Sequence, residues 1–331
     1  MLRRQSMFCH LRSDKGYMGP PAAGAYFKGR FHIYYLQYPH ASRWGDMHWS
    51  HAVSDDLVLW EDKGVVITPP EGKSLSCGSA VVRGDLLYVF YSIDDRLCCS
   101  VSSDGQLFEN KEIICEEDLK DPFVFEYEDS YRLLDGNKVL MSDDLVNWIP
   151  AGFLADPGVL PPAESSRLIE VDGSWVLILE GHKLRPNRVL MATGEFNGVT
   201  FAADKGFEPV ETGPDLRCPM VFKDESGRAL MLAWIMSGKL SRIGGFTIPR
   251  EISVGLKDEL IMLPADEVMG RVKGESRFVS YENGRLKIMI EGKTLWDKAY
   301  KEEPDVLTLE DIGLVELFIN GGAENVTFLI C

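Results

Sequence analysis

The chain has 331 residues, 45% hydrophobic and 26% charged, ordinary values for a globular protein with a sizeable core. Its net charge of −16 at pH 7 repels nucleic acid and anionic membrane, which argues against either as main partner and leaves neutral, hydroxyl-rich ligands open. No apolar run approaches the roughly 20 residues of a bilayer span, and the first ten residues lack the apolar stretch of a signal peptide.

Taken in chain order, five β-hairpins are predicted around Gly, Asp and Asn turns. They are Gly24–Tyr35 turning at Lys28-Gly29, Gly78–Tyr91 turning at Gly84-Asp85, Phe123–Leu134, Arg167–Leu179 with an Asp172-Gly173 turn, and Met220–Trp234. A punctuation mark follows most of them. Ser54-Asp55-Asp56-Leu57-Val58-Leu59-Trp60 returns as Ser142-Asp143-Asp144-Leu145-Val146-Asn147-Trp148, with looser versions at 102–108 and 193–201. Its aromatic landings at Trp60, Phe108, Trp148 and Phe201 are 48, 40 and 53 residues apart. Repetition at about 40–50 residues around hairpins predicts a β-propeller, here of five four-stranded blades, with the aromatics packing blade on blade.

Near residue 265 the strands become shorter and more charged. Runs at 277–281, 285–290, 306–309, 314–319 and 326–330 suit a small β-sandwich-like module against the last blade. The expected all-β organisation is thus a five-bladed β-propeller over 1–268 and a truncated β-sandwich module over 269–331. Seven scattered cysteines (9, 77, 98, 99, 115, 218 and 331) are an odd number. That favours reduced thiols in a cytoplasm over a disulfide framework.

Several long strings carry a family likeness. Tyr34-Tyr35, Pro39, Trp44-Gly45-Asp46-Met47-His48-Trp49-Ser50-His51-Ala52 and Ser54-Asp55-Asp56-Leu57-Val58-Leu59-Trp60 match in order and without gaps a pattern F-Y-Q-Y-N-P, W-G-x-M-H-W-G-H-A, S-x-D-L-x-x-W. Gly78-Ser79-Ala80, Pro249-Arg250-Glu251 and Leu317-Phe318-Ile319-Asn320-Gly321-Gly322 match G-S-A, P-R-E and E-V-F-x-N-G-G. The sequence resembles glycoside hydrolase family 32, which holds the invertases, levanases, inulinases and sucrose-6-phosphate hydrolases. The likeness implies a hydrolase of fructoside-like small carbohydrates, with no cofactor and no metal. It also implies three carboxylates, which can be sought one at a time.

The family's nucleophile lies in W-M-N-D-P-N-G, and here Tyr17-Met18-Gly19-Pro20-Pro21-Ala22-Ala23 stands in its place, with His10 and Gly16 at the family's offsets. Pro20 has no ionisable group and cannot form the covalent glycosyl intermediate of a retaining enzyme. The transition-state stabiliser of R-D-P corresponds to Asp121 in Lys120-Asp121-Pro122; lysine lacks the planar fork of arginine. The acid/base of E-C-P-D-L-F corresponds to Glu164, although Ser165-Ser166-Arg167 beside it has diverged. Leu36 falls where a sugar-binding glutamine is expected, with Gln37 adjacent, and Ser76-Cys77 replaces Phe-Ser. The expected site is therefore Glu164 and Asp121 as catalytic groups, with Tyr17, Gln37, Trp44, Cys77 and Lys120 contacting the sugar. The family's retaining chemistry is expected to be impaired at Pro20. The opposing expectation is a catalytically silent propeller that binds carbohydrate or a partner protein.

Asp14, six residues before Pro20, is a candidate replacement acid. It must lie about 5–5.5 Å from Glu164 for retention or about 6.5–9.5 Å for inversion. Aspartates at strand entrances also serve turns, and Asp46 and Asp94-Asp95 read as loop residues. His48 and His51, three apart on a strand, point to opposite faces and do not suggest a zinc pair.

Overall fold

In the computed structural model, residues 10–13, 15–185, 188–236, 245–255, 259–272, 276–311 and 313–329 are described. Asp14 and the cysteines at 9 and 331 lie outside them. The chain forms five antiparallel sheets in succession, each built mainly from consecutive strands. The first holds Tyr17–Phe27, Arg30–Tyr38, His48–Ser54 and Trp60–Ile67; the second Leu75–Arg83, Leu86–Ile93, Arg96–Ser102 and Glu109–Lys111. The third holds Phe123–Tyr127, Ser130–Asp135, Lys138–Ser142 and Ile149–Phe153. The fourth is Ser165–Val171, Ser174–Glu180, Val189–Phe196 and Phe201–Ala203, with Glu208–Pro209 paired to Val189–Phe196. The fifth is Leu216–Lys223, Ala229–Ile235, Arg250–Val254 and Leu260–Pro264, with Gly245–Phe246 paired to Ala229–Ile235.

The first strands of the five sheets come together. A cavity of about 480 Å³ is lined by Gly24, Ala80, Phe123, Ile169 and Phe222, one residue from each. All five predicted hairpins form, and the first turns through Lys28 (φ 49°) and Gly29 (φ 79°), the left-handed pair of a type I′ turn.

The repeated Ser-Asp-Asp motif proves to be a self-closing turn. Asp56 Oδ1 accepts N–H bonds from Val58 and Leu59, at 3.0 and 2.8 Å, and a bond from the Ser54 hydroxyl. Asp104 does the same for Gln106 and Leu107, and Asp144 for Val146 and Asn147. In the fourth copy the Asn197 amide oxygen takes that role for Val199 and Thr200. Leu57, Gly105, Leu145 and Gly198 all sit at positive φ in these turns, so a short acceptor side chain replaces the ladder bonds that the bend removes. Two of the landings pack against the neighbouring sheet. Trp148 is buried edge-on to Phe90 at 5.7 Å, and Phe108 edge-on to Tyr34 at 5.6 Å.

His51 faces the core of the first sheet, stacked on Tyr34 and His32, while His48 lies at the surface against Thr68. Burial holds His32 down to about 4 and His51 to about 3. Both rings are therefore neutral in the fold but titrate near 6.5 once unfolded, so their contribution is intact above pH 6.5 and is lost as the pH falls. Each costs about 2 kcal/mol by pH 5. Glu180, raised by burial, runs the opposite way over the same range, so total stability masks the effect. The histidine term is read by difference: the stability lost between pH 7 and pH 5 is expected to be about 2 kcal/mol smaller in His51→Phe than in wild type. Denaturant titration at both pH values checks it, and equal losses in both proteins would contradict the assignment.

After Pro264 comes a four-residue helix, Asp266–Met269, and then two three-stranded sheets. Val279–Glu282, Arg285–Ile290 and Lys293–Ala299 form one; Val306–Asp311, Leu314–Ile319 and Glu324–Leu329 form the other. Leu286 and Ile288 share a core with Val315, Leu317, Val326 and Phe328. The strand Lys293–Ala299 was not predicted. It is an edge strand with most side chains in solvent, so it carries no apolar alternation to read.

A buried ionic cluster fastens the second of these sheets to the fifth. Arg250, fully buried, donates through Nε and Nη2 to Glu316 Oε2 at 3.0 and 2.5 Å, and through Nη1 to Glu211 Oε2 at 3.0 Å. Its Nη2 also reaches Thr327 Oγ1 at 2.6 Å, and His10 Nε2 bonds the other oxygen of Glu316 at 2.8 Å. Burial alone would raise Glu316, but Arg250 and His10 hold it below its ordinary value.

Candidate active site

The candidate site is assembled where the fourth and fifth sheets end. Register pairs Ser165 with Glu180, and the Glu164 N–H donates to the Glu180 carbonyl at 2.7 Å. Glu164 and Glu180 thus stand at neighbouring strand ends, with their side chains directed to different surroundings. Glu164 is more than half exposed and its carboxylate meets His182 Nδ1. Glu180 is turned inward. Its Oε2 accepts the Cys218 N–H at 2.7 Å and its Oε1 faces the Cys218 thiol at 3.8 Å. Burial pushes the Glu180 carboxyl up to about 7, opposed in part by the Cys218 N–H and by Arg167 and Arg217. Such a group gives or takes a proton at neutral pH.

Asp121 enters from the loop before the third sheet, where its own N–H and that of Lys120 donate to Asp135 Oδ1 at 2.8 and 3.1 Å. Both Asp121 oxygens accept from Arg167 Nη2, at 2.9 and 2.8 Å. Arg167 is buried and lies over the Phe123 ring. Asp121 and Arg167 also act electrostatically on Cys77 and Cys218, as does Glu180. The second to fifth sheets therefore contribute to one cluster of charges and thiols. Burial pushes both thiols well above their ordinary range, so they are protonated at rest.

The expected residues fare differently. Asp121 and Cys77 belong to this cluster, whereas the Glu164 carboxylate lies outside it, exposed beside His182. Lys120 is exposed and contributes its backbone to the turn at Asp135, while Arg167 supplies the guanidinium that the Lys120-Asp121-Pro122 string lacks. Gln37 is buried with its amide committed: Nε2 donates to Ser13 Oγ and the Lys15 carbonyl, and Oε1 accepts from Ser50. The irregular register lies opposite it, between Met18 and Ala23. Tyr17 is buried edge-on to Trp44 and Trp234, and Trp44 is 55% exposed. Pro20 is buried in the first strand. Among the described residues no group of three His, Cys, Asp or Glu side chains is placed to hold a metal ion.

Glu180, Arg167 and Cys218 were not foreseen. Glu180 closes the apolar run Trp175–Leu179, and an abrupt carboxylate at the end of a core strand was the available signal. Cys218 stands at φ 46°, where the register of its strand breaks between Arg217 and Met220. Pro219 beside it, which cannot donate to the ladder, was the available signal.

The chain is similar to known proteins. It is 25% identical to a sucrose-6-phosphate hydrolase of Zymomonas mobilis over 78% of this chain, and 26% identical to that of Bacillus subtilis over 92%. It spans 62% of the length of the Zymomonas protein and 72% of the Bacillus one. Among solved structures it superposes on a Bombyx mori GH32 beta-fructofuranosidase with a TM-score of 0.81 at 20% identity, covering 98% of this chain and 88% of that one. Against the sucrose-6-phosphate hydrolase of Lactobacillus gasseri the TM-score is 0.82 at 17% identity, with coverage of 98% and 88%. The profile of the glycosyl hydrolases family 32 N-terminal domain matches residues 10–264. The chain belongs to glycoside hydrolase family 32.

Proposed function

We propose that this protein takes a fructoside-like small carbohydrate at the cluster of Asp121 and Glu180, next to Glu164, and that hydrolysis by the family's carboxylate nucleophile is impaired. The five successive sheets around one cavity are read as a five-bladed propeller over 1–268, with 269–331 as a shortened β-sandwich module. The observation that carries the functional reading is Pro20, buried in the first strand with no group that can attack a sugar carbon. The ion pair of Asp121 with Arg167 offers both acceptors and donors to ring hydroxyls. Free thiols at Cys77, Cys98, Cys99, Cys115 and Cys218 support a reducing compartment, and hence a cytoplasmic protein.

Calorimetric titration with sucrose and with fructose, beside a rate assay for sucrose hydrolysis, tests this. The expected result is saturable sugar binding with turnover well below the usual range of about 1–10³ s⁻¹. A complete absence of binding would favour a protein-interaction role, and fast turnover would contradict the assigned effect of Pro20.

A further inference from the structure

The first strands of the five sheets share one order from end to end. Residues of the candidate site come first, at Tyr17, Cys77, Arg167 and Cys218. Residues that line the cavity of about 480 Å³ follow, at 23–26, 78–82, 123–126, 168–170 and 220–225. At about 3.3 Å per residue, Val82 lies roughly 16 Å along its strand from Cys77. The mouth of the cavity is therefore at the far end of the inner strands from Asp121 and Glu180, and the two spaces are separate.

The wall of this cavity is apolar inside and acidic at its mouth. Gly24 and Ala80 leave the room open on the first two sheets; a Cβ on Gly24 would stand 2.6 Å from the Phe222 ring. Tyr26, Phe125 and Trp175 are only half-buried, with Phe125 and Trp175 5.8 Å apart. Four carboxylates, Glu126, Glu170, Asp224 and Glu225, line the mouth against one cation, Lys223. Two of them are compensated. Lys223 lies 3.5 Å from Glu170, and Arg228 Nε donates to Asp224 Oδ2 at 2.7 Å. Glu225 accepts from the Tyr26 hydroxyl, a neutral donor, and Glu126 is exposed with no ion-pair partner among the described residues. Such a mouth repels an anion, and a neutral apolar molecule there would strip water from two carboxylates without replacing it. A cation with an apolar body meets both demands, because ring faces and carboxylates attract the charge while the walls cover the rest. The volume falls within the range of about 300–1,000 Å³ usual for small-molecule pockets.

We propose that this cavity is a second binding site, which takes a small organic ammonium ion. The apolar body lies among Gly24, Ala80 and Phe222, and the ammonium group lies at Glu126 and Glu225 against Tyr26. The assignment does not depend on what the candidate active site takes.

Calorimetric titration of the whole protein with 2-phenylethylammonium tests it, beside 2-phenylethanol, similar in shape but uncharged, and 3-phenylpropanoate, an anionic counterpart. The expected result is one ammonium ion bound saturably per chain, the alcohol bound about tenfold more weakly, and no detectable binding of the anion. Glu126→Gln, at an exposed position with no ion pair to lose, should weaken the ammonium about five- to tenfold and leave the alcohol unchanged. Ala80→Leu fills the space without changing charge and should abolish binding of both; Val82→Phe, at the same wall, serves if that variant does not fold. Excess sucrose should leave the ammonium affinity unchanged. No ammonium binding, equal affinity for ammonium and alcohol, or ammonium binding indifferent to the cavity-filling and Glu126→Gln variants overturns the proposal. Displacement by sucrose overturns it as well, by placing the ammonium ion in the carbohydrate site.

Discussion

Replacing Arg250 with Met is expected to destabilise the protein by about 3–5 kcal/mol, because it leaves charged partners in the interior without their cation. Glu211 and Glu316 are both fully buried, and Arg250 lies between them with every guanidinium nitrogen bonded. Removing it sets two carboxylates face to face where water cannot reach. Glu316 keeps His10 and the Ile248 N–H, and Glu211 keeps the hydroxyl and N–H of Thr327. The loss should appear in calorimetry as a melting temperature lower by roughly 4–7 °C. Adding Glu211→Gln and Glu316→Gln to the Met variant should recover much of it. A single Met variant as stable as wild type would show that the cluster is not a clamp.

The second large effect is a gain. Pro20→Asp is expected to raise kcat/KM for sucrose on the order of 10²-fold over wild type, since an attacking carboxylate is what the family's first strand supplies. The product should then keep its anomeric configuration, which NMR of the initial product reads directly. Asparagine at the preceding position is a natural companion change, but the structure argues against making it first. A Cβ on Gly19 would sit 2.8 Å from the Met47 methyl and 3.2 Å from the Leu36 carbonyl oxygen, so Asn there forces Met47 to move. Pro20→Asp alone is the cleaner test. A folded, sugar-binding variant with unchanged activity would mean that the missing carboxyl is not what limits the reaction.

The fold was legible because its signals are local. Each hairpin is announced by its turn residues, and each Asp or Asn of the repeated motif bonds N–H groups only two and three residues ahead, so spacing alone displays it. Lys293–Ala299 was silent because an edge strand in solvent needs no apolar face. The site was legible only in outline. Asp121 and Glu164 sit within recognisable strings, but their partners come from afar: Arg167 is 46 residues from Asp121, and Glu180 is 38 from Cys218. Gln37 shows the converse. Its position beside a sugar-binding pattern pointed to the ligand, while its burial has given all its polar atoms to Ser13, Lys15 and Ser50. A one-dimensional pattern shows that a polar residue is present and not what its hydrogen bonds are spent on.

The Arg250 clamp also orders events in time. Each of the first four sheets has its strands in hand as soon as its own stretch of chain is made. The fifth has its strands too, but the partners of Arg250 at Glu316 and Thr327 are 66 and 77 residues further on. Until the strands that carry them are made, two of the three residues that accept from the guanidinium are missing. The sheet of 306–329 thus behaves as a latch on the fifth sheet, thrown only after that sheet's own strands are made.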